Sequence, residues 1–317
     1  MKRTTSFVYT IILFLFLYTS GYSQSNTVYN FLKLDVSARA SSLAGSFTAV
    51  ENDVNAIYYN PAALTSFTRS KASVGFYKYL LDINSGNIAF TSKYKNLGYI
   101  GIGLRYVNYG SFDKYDINSV NQGTFGGSDL ALSLGYANDL NTHFSYGGSL
   151  KLIYSSYDIY NSFGVAADLG AMYKIPEYNM TIGMSLLNAG VQLKSYQDLK
   201  EDLPLDLRFG ITKKLENSPL TVYLGLNRLT EAQDNFFSRF KNITAGAEFS
   251  VADNIDLRIG YDNRLRQDLK TGSTTGLAGF SAGFGVLIKD KYQVDYAFNS
   301  LGKIGSTHRI NLGMPIN

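Results

Sequence analysis

The sequence predicts an all-β membrane protein, an antiparallel outer-membrane β-barrel of about 14 strands with a short, partly helical N-terminal hatch. Three observations support this fold class. Apolar and polar residues alternate with a period of two from about residue 71 onward. Along the chain, short connections between these segments alternate with longer ones. The N-terminus has the organisation of a secretory signal peptide, and no later stretch has 18 consecutive apolar residues.

The alternating segments indicate strands with one apolar and one polar face. In residues 128–137 (SDLALSLGYA), Leu132 lies on the aliphatic face and Ser133 on the opposite face. The same alternation occurs in residues 205–212, 254–263 and 292–299. The strands of a soluble antiparallel sandwich alternate in the same way, and this is the alternative fold. Many Gly, Ala and Ser on the polar face favour a crowded lumen, with the aliphatic face toward lipid.

The connections between the predicted strands differ in length in a regular way. The predicted strand centres are Val74, Ile88, Leu104, Leu132, Leu150, Ala167, Gly183, Phe209, Tyr223, Ala245, Leu257, Ala282, Val294 and Leu312. The long connections are residues 109–127, 189–202, 228–240 and 263–276. The other connections on the same side, near residues 80–82, 157–161 and 300–306, are of middling length, and those on the opposite side are short. Outer-membrane barrels have short periplasmic turns and longer extracellular loops. Because the connections alternate in length in this way, we favour the barrel over the sandwich.

Residues 1–23 are predicted to be a signal peptide. Lys2 and Arg3 precede an apolar run from about Phe7 to Tyr18, and small residues follow. The run is shorter than the roughly 20 residues that a helix needs to cross a bilayer. We therefore expect cleavage near residue 23 and location in the bacterial outer membrane, with a retained N-terminal anchor as the alternative.

Composition restricts the chemistry of the chain. Without Lys2 and Arg3 the 29 basic residues become 27, against 25 acidic residues, so no nucleic-acid partner is expected. The absence of Cys excludes disulfides, thiolate metal sites and a Cys nucleophile. His143 and Ser145 have the spacing of an outer-membrane phospholipase, but no orienting partner is identifiable. We expect no enzyme activity, no cofactor and no metal site.

A barrel of about 14 strands encloses more space than interior side chains readily fill, because eight strands is roughly the number that side chains fill. Residues 24–70 precede the barrel of residues 71–317 and are small and mildly apolar, which suits a plug. Asn60 and Pro61 form a helix start, with Asn as cap and Pro at the first position. A tail lying outside the barrel is the alternative.

Residues 31–64 (FLKLDVSARASSLAGSFTAVENDVNAIYYNPAAL) resemble the N-terminal signature of the PorV/PorQ family, within the FadL-like group of 14-stranded outer-membrane barrels. The matching hatch residues include Arg39, Gly45, Asp53, Asn60, Pro61 and Ala62. The resemblance implies a hatch inside the barrel. It also implies an accessory role in type IX protein secretion.

The resemblance leads to one main hypothesis and two alternatives. The main hypothesis is a non-enzymatic accessory barrel of type IX secretion that binds secreted cargo or partner subunits through its extracellular loops. The first alternative is a FadL-like transporter with a hydrophobic small-molecule ligand in the lumen, and the second is a purely structural barrel in contact with outer-membrane lipids. Aromatic residues are common at binding hot spots. The candidate loop residues are Tyr109, Phe112, Tyr115, Tyr196, Phe236, Phe237 and Phe240.

Overall fold

The computed structural model describes residues 27–95, 97–231, 236–269 and 276–316. The predicted signal peptide lies outside these residues. The strands are β1 Lys71–Lys78, β2 Asn84–Tyr94, β3 Gly98–Tyr115, β4 Asn121–Asp139, β5 Phe144–Tyr157, β6 Tyr160–Ile175, β7 Met180–Lys194, β8 Asp206–Lys214, β9 Leu220–Leu226, β10 Ile243–Ala252, β11 Ile255–Asp262, β12 Phe280–Ile288, β13 Tyr292–Ser300 and β14 Ser306–Pro315. Every predicted strand centre falls within its own strand.

The 14 strands form one closed antiparallel barrel. Each strand pairs with its neighbours in chain order, and β1 pairs with β14 from Lys71 opposite Pro315 to Lys78 opposite His308. Closure satisfies the backbone hydrogen bonds of every strand, which a sheet in lipid requires. The prediction of a 14-stranded antiparallel barrel is confirmed.

Helices are few and short among the described residues. The α-helices are Ala38–Ser42 and Asn263–Asp268, and the 3-10 helices are Asn30–Lys33, Val54–Tyr58, Pro61–Ser66, Pro176–Tyr178, Phe236–Asn242 and Gly302–Ile304. Within the described ranges, no helix has the length and apolar character needed to cross a membrane.

The two faces of the wall differ in polarity as the alternation predicts. On β4, the side chain of Ser133 is 1% exposed and points inward, whereas Leu134 is 50% exposed on the outside. Charged side chains also point inward and are buried. They include Arg105, Lys151, Asp168, Asp206, Arg208, Glu248, Arg258, Asp295 and Arg309. The barrel therefore has an aliphatic exterior suited to lipid and a polar, densely packed interior.

The wall is taller on one side than on the other. Strands β3 to β7 have 14 to 19 residues, whereas β8 to β14 have 7 to 10. Since about 9–11 residues cross a bilayer, the longer strands extend beyond it on the side of the long connections. We call that side the extracellular end and the side of the short turns the periplasmic end.

One predicted loop is wrong. Residues 109–127 are mostly strand, because β3 continues to Tyr115 and β4 begins at Asn121. Phe112 pairs with Phe125 across the hairpin, with ring centroids 5.4 Å apart. The many Gly and polar residues of this segment suggested a loop, whereas pairing between its two arms makes it a ribbon. The described residues of the remaining long connections, 195–205, 227–231, 236–242, 263–269 and 276–279, lie at the extracellular end.

The lipid-facing assignment leads to a testable prediction. We expect Leu134→Arg to impair membrane folding, because an Arg on the lipid face costs about 2–4 kcal/mol near the bilayer midplane. The folded fraction is measured as the heat-modifiable band in SDS gels after refolding into vesicles. Leu81→Arg is the control, because Leu81 is 84% exposed in the β1–β2 turn, beyond the end of the strands. Equal folded fractions of the two variants would contradict the assignment.

Candidate functional site

The N-terminal segment runs through the lumen from one end of the barrel to the other. Thr27 forms a bridge with Asp202 in the β7–β8 connection at the extracellular end, and the Val28 amide donates to the Asp202 carbonyl at 3.0 Å. The chain leaves the lumen at the periplasmic end, where β1 begins at Lys71. Between these points the helix Ala38–Ser42 packs against β11 to β14, and the helix Pro61–Ser66 packs against β3 to β6. Because the segment contacts opposite walls, it fills the interior.

Two side-chain caps shape the periplasmic part of this segment. Asp53 accepts a hydrogen bond from the Asn55 amide at 2.9 Å, and Asn60 accepts one from the Ala62 amide at 3.1 Å. The Asn60 amide group also donates to Thr48 O at 2.8 Å and to Ala171 O at 3.2 Å. Asn60 therefore both starts the helix Pro61–Ser66 and ties the hatch to β6 of the wall.

Inward-facing glycines make room for the hatch backbone. A Cβ added at Gly147 would lie 2.7 Å from the Pro61 carbonyl carbon, and one at Gly170 would lie 2.9 Å from Pro61 Cδ. A Cβ at Gly183 would lie 2.8 Å from the Thr48 carbonyl carbon. Larger residues at these positions would displace hatch backbone, which is the reason for the small residues on the polar face.

A network of charged side chains joins the hatch to the wall. Arg39 donates two hydrogen bonds of 3.0 Å to Glu248 on β10. Arg258 on β11 bonds Glu248 at 2.6 Å and Asp295 on β13 at 2.6 Å. The Tyr223 hydroxyl donates to Glu248 at 2.8 Å. Burial strengthens such interactions but makes the loss of one partner costly. Glu248 therefore holds two arginines, one from the hatch and one from the wall.

The other predicted hatch residues lie close to this network. Arg39 Nη1 is 3.8 Å from the Asp53 carboxylate. Gly45 has a φ of 74°, which favours glycine, and its carbonyl accepts a hydrogen bond from Asn227 at 3.2 Å. The structure thus brings Arg39, Asp53 and Gly45 together with strands β9 and β10. Their role in closing the lumen stays a prediction.

A small cavity lies between the hatch and the wall near mid-barrel. Its volume of about 20 Å³ is enough for about one water molecule. Leu32, Leu34 and Val36 line one side, and the buried cations Arg105, Lys151 and Arg208 line the other. Lys151 pairs with Asp168 at 2.9 Å, and Arg208 pairs with Asp206 at 2.6 Å.

Arg105 differs from the other cations of the cavity. Its guanidinium donates to the Leu34 carbonyl at 2.8 Å and lies 5.4 Å from the centre of the Phe31 ring. Within the described residues, no carboxylate comes within ion-pair distance of Arg105. The N-terminal segment therefore contributes both the carbonyl and the aromatic ring that cover this cation.

Two of the predicted loop residues meet in a tyrosine cluster at the extracellular end. Tyr109 and Tyr157 donate to the buried Asp129 carboxylate at 2.6 and 3.2 Å. Tyr196, from the β7–β8 connection, donates to Ser155, which in turn donates to Asp129. Burial raises the pKa of the Tyr196 hydroxyl above its ordinary value, so this donor stays protonated. These hydrogen bonds hold the β7–β8 connection over the extracellular opening of the lumen, which we call the mouth.

The remaining loop candidates do not converge with this cluster. Phe112 and Tyr115 lie on the outer part of β3 and are 41% and 58% exposed. Phe240, in the 3-10 helix Phe236–Asn242, is 50% exposed. The backbone of Phe236 and Phe237 belongs to the same helix, but their side chains lie outside the described part of the structure. Among the candidates whose side chains the structure describes, only Tyr109 and Tyr196 meet, and the role of the seven in binding stays a prediction.

Sequence reasoning missed several residues of the lumen. Asp129, Glu248 and Arg258 appeared only as polar residues on the inward face of strands. Tyr157 appeared only as the first residue of a connection between two predicted strands. The alternation of polar and apolar residues places Asp129, Glu248 and Arg258 inside the barrel. Only the strand register and the path of the hatch show which of these side chains contact one another.

The His143 and Ser145 pair has no catalytic arrangement. The His143 ring stacks on Tyr173 at 6.1 Å, while Ser145 donates to Asp139 at 2.6 Å. A catalytic serine needs an oriented histidine within hydrogen-bond reach. In the part of the chain that the structure describes, no cluster of His, Asp or Glu is arranged to hold a metal ion.

Comparisons with known proteins identify the fold. No family model matches the chain, and no curated protein matches its sequence. The toluene transporter TodX of Pseudomonas putida is similar with a TM-score of 0.61 and 12% identity, covering 91% of this chain and 98% of that one. The toluene transporter TbuX of Ralstonia pickettii (TM-score 0.59, 13% identity) and a FadL homologue of Pseudomonas aeruginosa (0.56, 10%) each cover 89% of this chain and 98% of their own. Over almost its whole length, the chain shares the fold of these transporter barrels.

Proposed function

We propose that the chain is a non-enzymatic outer-membrane barrel that transports hydrophobic small molecules. This is the FadL-like alternative of the sequence analysis. The fold shared with two toluene transporters supports it, but a fold can host different functions. The proposal therefore also depends on what the lumen offers to a ligand.

The observation that carries the proposal is a run of contacting apolar side chains from the extracellular mouth to the mid-barrel cavity. A buried cluster at the mouth contains Phe31, Val107, Ile153 and Leu203, with Leu32 packed against it. Leu32 also lines the cavity. Once the N-terminal segment moves aside, a hydrophobic ligand entering at the mouth would meet these side chains on its way to the cavity.

Transport requires the N-terminal segment to move. The cavity holds about one water molecule, far less than the roughly 300 Å³ at which ligand pockets begin. Residues 27–36 supply most of its apolar lining, so displacement of these residues would enlarge it. Their contacts with the rest of the barrel include the Tyr29 hydroxyl bonded to Ser162 of β6 at 2.6 Å and Lys33 paired with Glu231 of the β9–β10 connection at 3.3 Å. Both are individual side-chain contacts near the mouth, whose polar groups water can solvate when the segment moves.

Uptake of toluene by cells that lack their own hydrocarbon channel tests the proposal. We expect the chain to raise uptake above that of cells carrying the empty vector. Leu32→Asn should reduce uptake about tenfold, because a buried amide without a hydrogen-bond partner costs more than about 1 kcal/mol. Leu81→Asn, in the exposed β1–β2 turn, is the matched control and should not reduce it. Uptake equal to that of the empty vector, with folded barrel present in the membrane, would exclude transport of this probe.

The type IX accessory role is the second candidate. It rests on the PorV/PorQ resemblance of residues 31–64 and on apolar side chains at the tip of the β3–β4 ribbon, where Tyr115 is 58% and Val120 54% exposed. Such side chains suit contact with cargo or a partner subunit. Purification from native membranes separates the two candidates. Co-purified secretion subunits favour the second candidate, whereas a retained hydrophobic ligand favours transport.

We also propose location in the outer membrane after removal of residues 1–23. The aliphatic exterior and the closed barrel support this location. Thr27 lies at the extracellular end, and this position supports removal of residues 1–23. If these residues were retained in the inner membrane, the chain before Thr27 would have to run back through the filled lumen. Sequencing of the mature N-terminus tests this proposal, and a start at Met1 would exclude it.

A further inference from the structure

A glycine interrupts the lipid-facing surface of β1 to β3. Phe76, Gly86 and Tyr106 stand side by side on the outside of these strands, as the pairing registers show. Gly86 has no side chain, so a groove of about 250 Å³ opens between its neighbours. This exceeds the roughly 150 Å³ of a cavity that binds benzene. Val74, Ile88 and Leu104 line the groove below Gly86.

The groove ends in a polar row at its extracellular end. The next outward-facing positions along these strands and β14 are His308, Lys78, Asn84 and Asn108, each opposite the next. They lie about 7 Å beyond the Gly86 row, since a strand rises about 3.4 Å per residue. Four polar side chains therefore follow directly on an apolar groove, at the height where lipid headgroups begin.

Lys78 in this row has no acidic partner. Within the described residues, no carboxylate lies within ion-pair distance of Lys78. The Asn84 amide group donates to the Asp82 carbonyl at 2.8 Å rather than to a charged group. The His308 ring is held by Tyr296 at 2.7 Å and Ser306 at 3.3 Å. The polar row thus offers one uncompensated positive charge beside an oriented imidazole.

The groove lies outside the barrel wall and does not lead into the lumen. The pairing of β1 with β2 and of β2 with β3 is continuous through Gly86, without a shift in register. Gly75, on the inward side of the same wall, is covered by Asn87 and Asn311. The groove is therefore separate from the hatch and from any path through the barrel.

We propose that the groove and the polar row bind one lipid of the outer leaflet whose phosphate headgroup carries a net negative charge. An acyl chain lies in the groove over Gly86, and the phosphate lies against the Lys78 ammonium group, beside the His308 ring whose two nitrogens are held by Tyr296 and Ser306. The site matches such a lipid in length and in polarity, because its apolar part lies in the membrane and its cationic part lies at the membrane surface. This site is independent of transport through the lumen.

Native mass spectrometry of the barrel released from phosphatidylcholine nanodiscs that contain phosphatidylglycerol tests the proposal. We expect wild-type barrel to retain phosphatidylglycerol in preference to phosphatidylcholine. Lys78→Gln should reduce this preference about fivefold, the effect of one Lys near a lipid surface. Gly86→Leu should reduce retention of both lipids, because the new side chain fills the groove.

Two matched variants control for general effects. Gly148→Leu changes a lipid-facing glycine of β5, and Lys303→Gln removes an exposed Lys from the β13–β14 connection. Both should retain lipid as the wild type does. A Cβ at Gly86 would come no closer than 3.6 Å to another heavy atom, so Gly86→Leu should fold. Equal retention of the two lipids by the wild type, or unchanged retention by both Lys78→Gln and Gly86→Leu, would overturn the proposal.

Discussion

Deletion of residues 31–64 is expected to turn the barrel into a conducting pore. These residues fill the lumen between the walls, and the side chains of Leu43, Phe47, Ile57 and Leu64 are fully buried there. The wall itself does not depend on them for closure, because β1 pairs directly with β14. Single-channel recording in planar bilayers measures the result. The intact barrel should conduct little, and the deletion should produce large, persistent conductance steps.

A second variant tests whether conductance also rises when the hatch is displaced but no residue is deleted. Gly183→Leu leaves the hatch intact in sequence but places a side chain where the Thr48 and Ala49 backbone lies. It should therefore also raise conductance, through displacement of the hatch. Gly148→Leu, on the lipid-facing side, should not. If the deletion leaves conductance unchanged while the barrel stays folded, the hatch does not close the lumen.

Glu248→Gln is expected to loosen the hatch more than Arg39→Met does. Glu248 pairs with both Arg39 and Arg258, so loss of its charge leaves Arg39 with only Asp53, 3.8 Å away, while Arg258 keeps Asp295. Removal of one partner from a buried ion pair costs about 3–5 kcal/mol. In Arg39→Met, by contrast, Glu248 keeps Arg258 and the Tyr223 hydroxyl as partners.

Open probability in single-channel recordings measures this effect, and protease cleavage within the hatch provides a second measurement. Lys174→Met is the control. Lys174 pairs with Glu51 of the hatch at 2.5 Å, but both side chains are more than a quarter exposed, and such pairs contribute at most about 1 kcal/mol. We expect open probability in the order Glu248→Gln, Arg39→Met, Lys174→Met. A Lys174→Met effect as large as that of Glu248→Gln would mean that the buried network does not hold the hatch.

Much of the architecture was predictable because barrels repeat one simple rule. Each strand of a barrel in lipid alternates between an apolar exterior and a crowded interior, so the sequence alone separated Leu134 from Ser133. The caps at Asp53 and Asn60 were also predictable, since each involves an amide group only two residues away. These are local interactions, and local interactions are visible in local sequence.

The arrangement of the lumen was not predictable in the same way. Tyr109 and Tyr196 appeared as separate loop residues, but both belong to the cluster around Asp129. Residues 109–127 appeared as a loop because the pairing of the ribbon's two arms depends on their register. Glu248 appeared as one lumen carboxylate among several, although it joins the hatch to the wall. The contacts of Tyr196 with Ser155 and of Arg39 with Glu248 join residues far apart in the chain.

By itself, the sequence determined that this chain forms a barrel of about 14 strands, which face of each strand is apolar, and that the hatch contains capped turns. Only the tertiary structure decided the height of each wall, the course of the N-terminal segment from mouth to base, and the partners of the buried charges. The physical reason is that alternation and capping act over a few residues. The register of paired strands and the packing of the hatch, in contrast, depend on contacts between distant parts of the chain, which form only when the barrel closes.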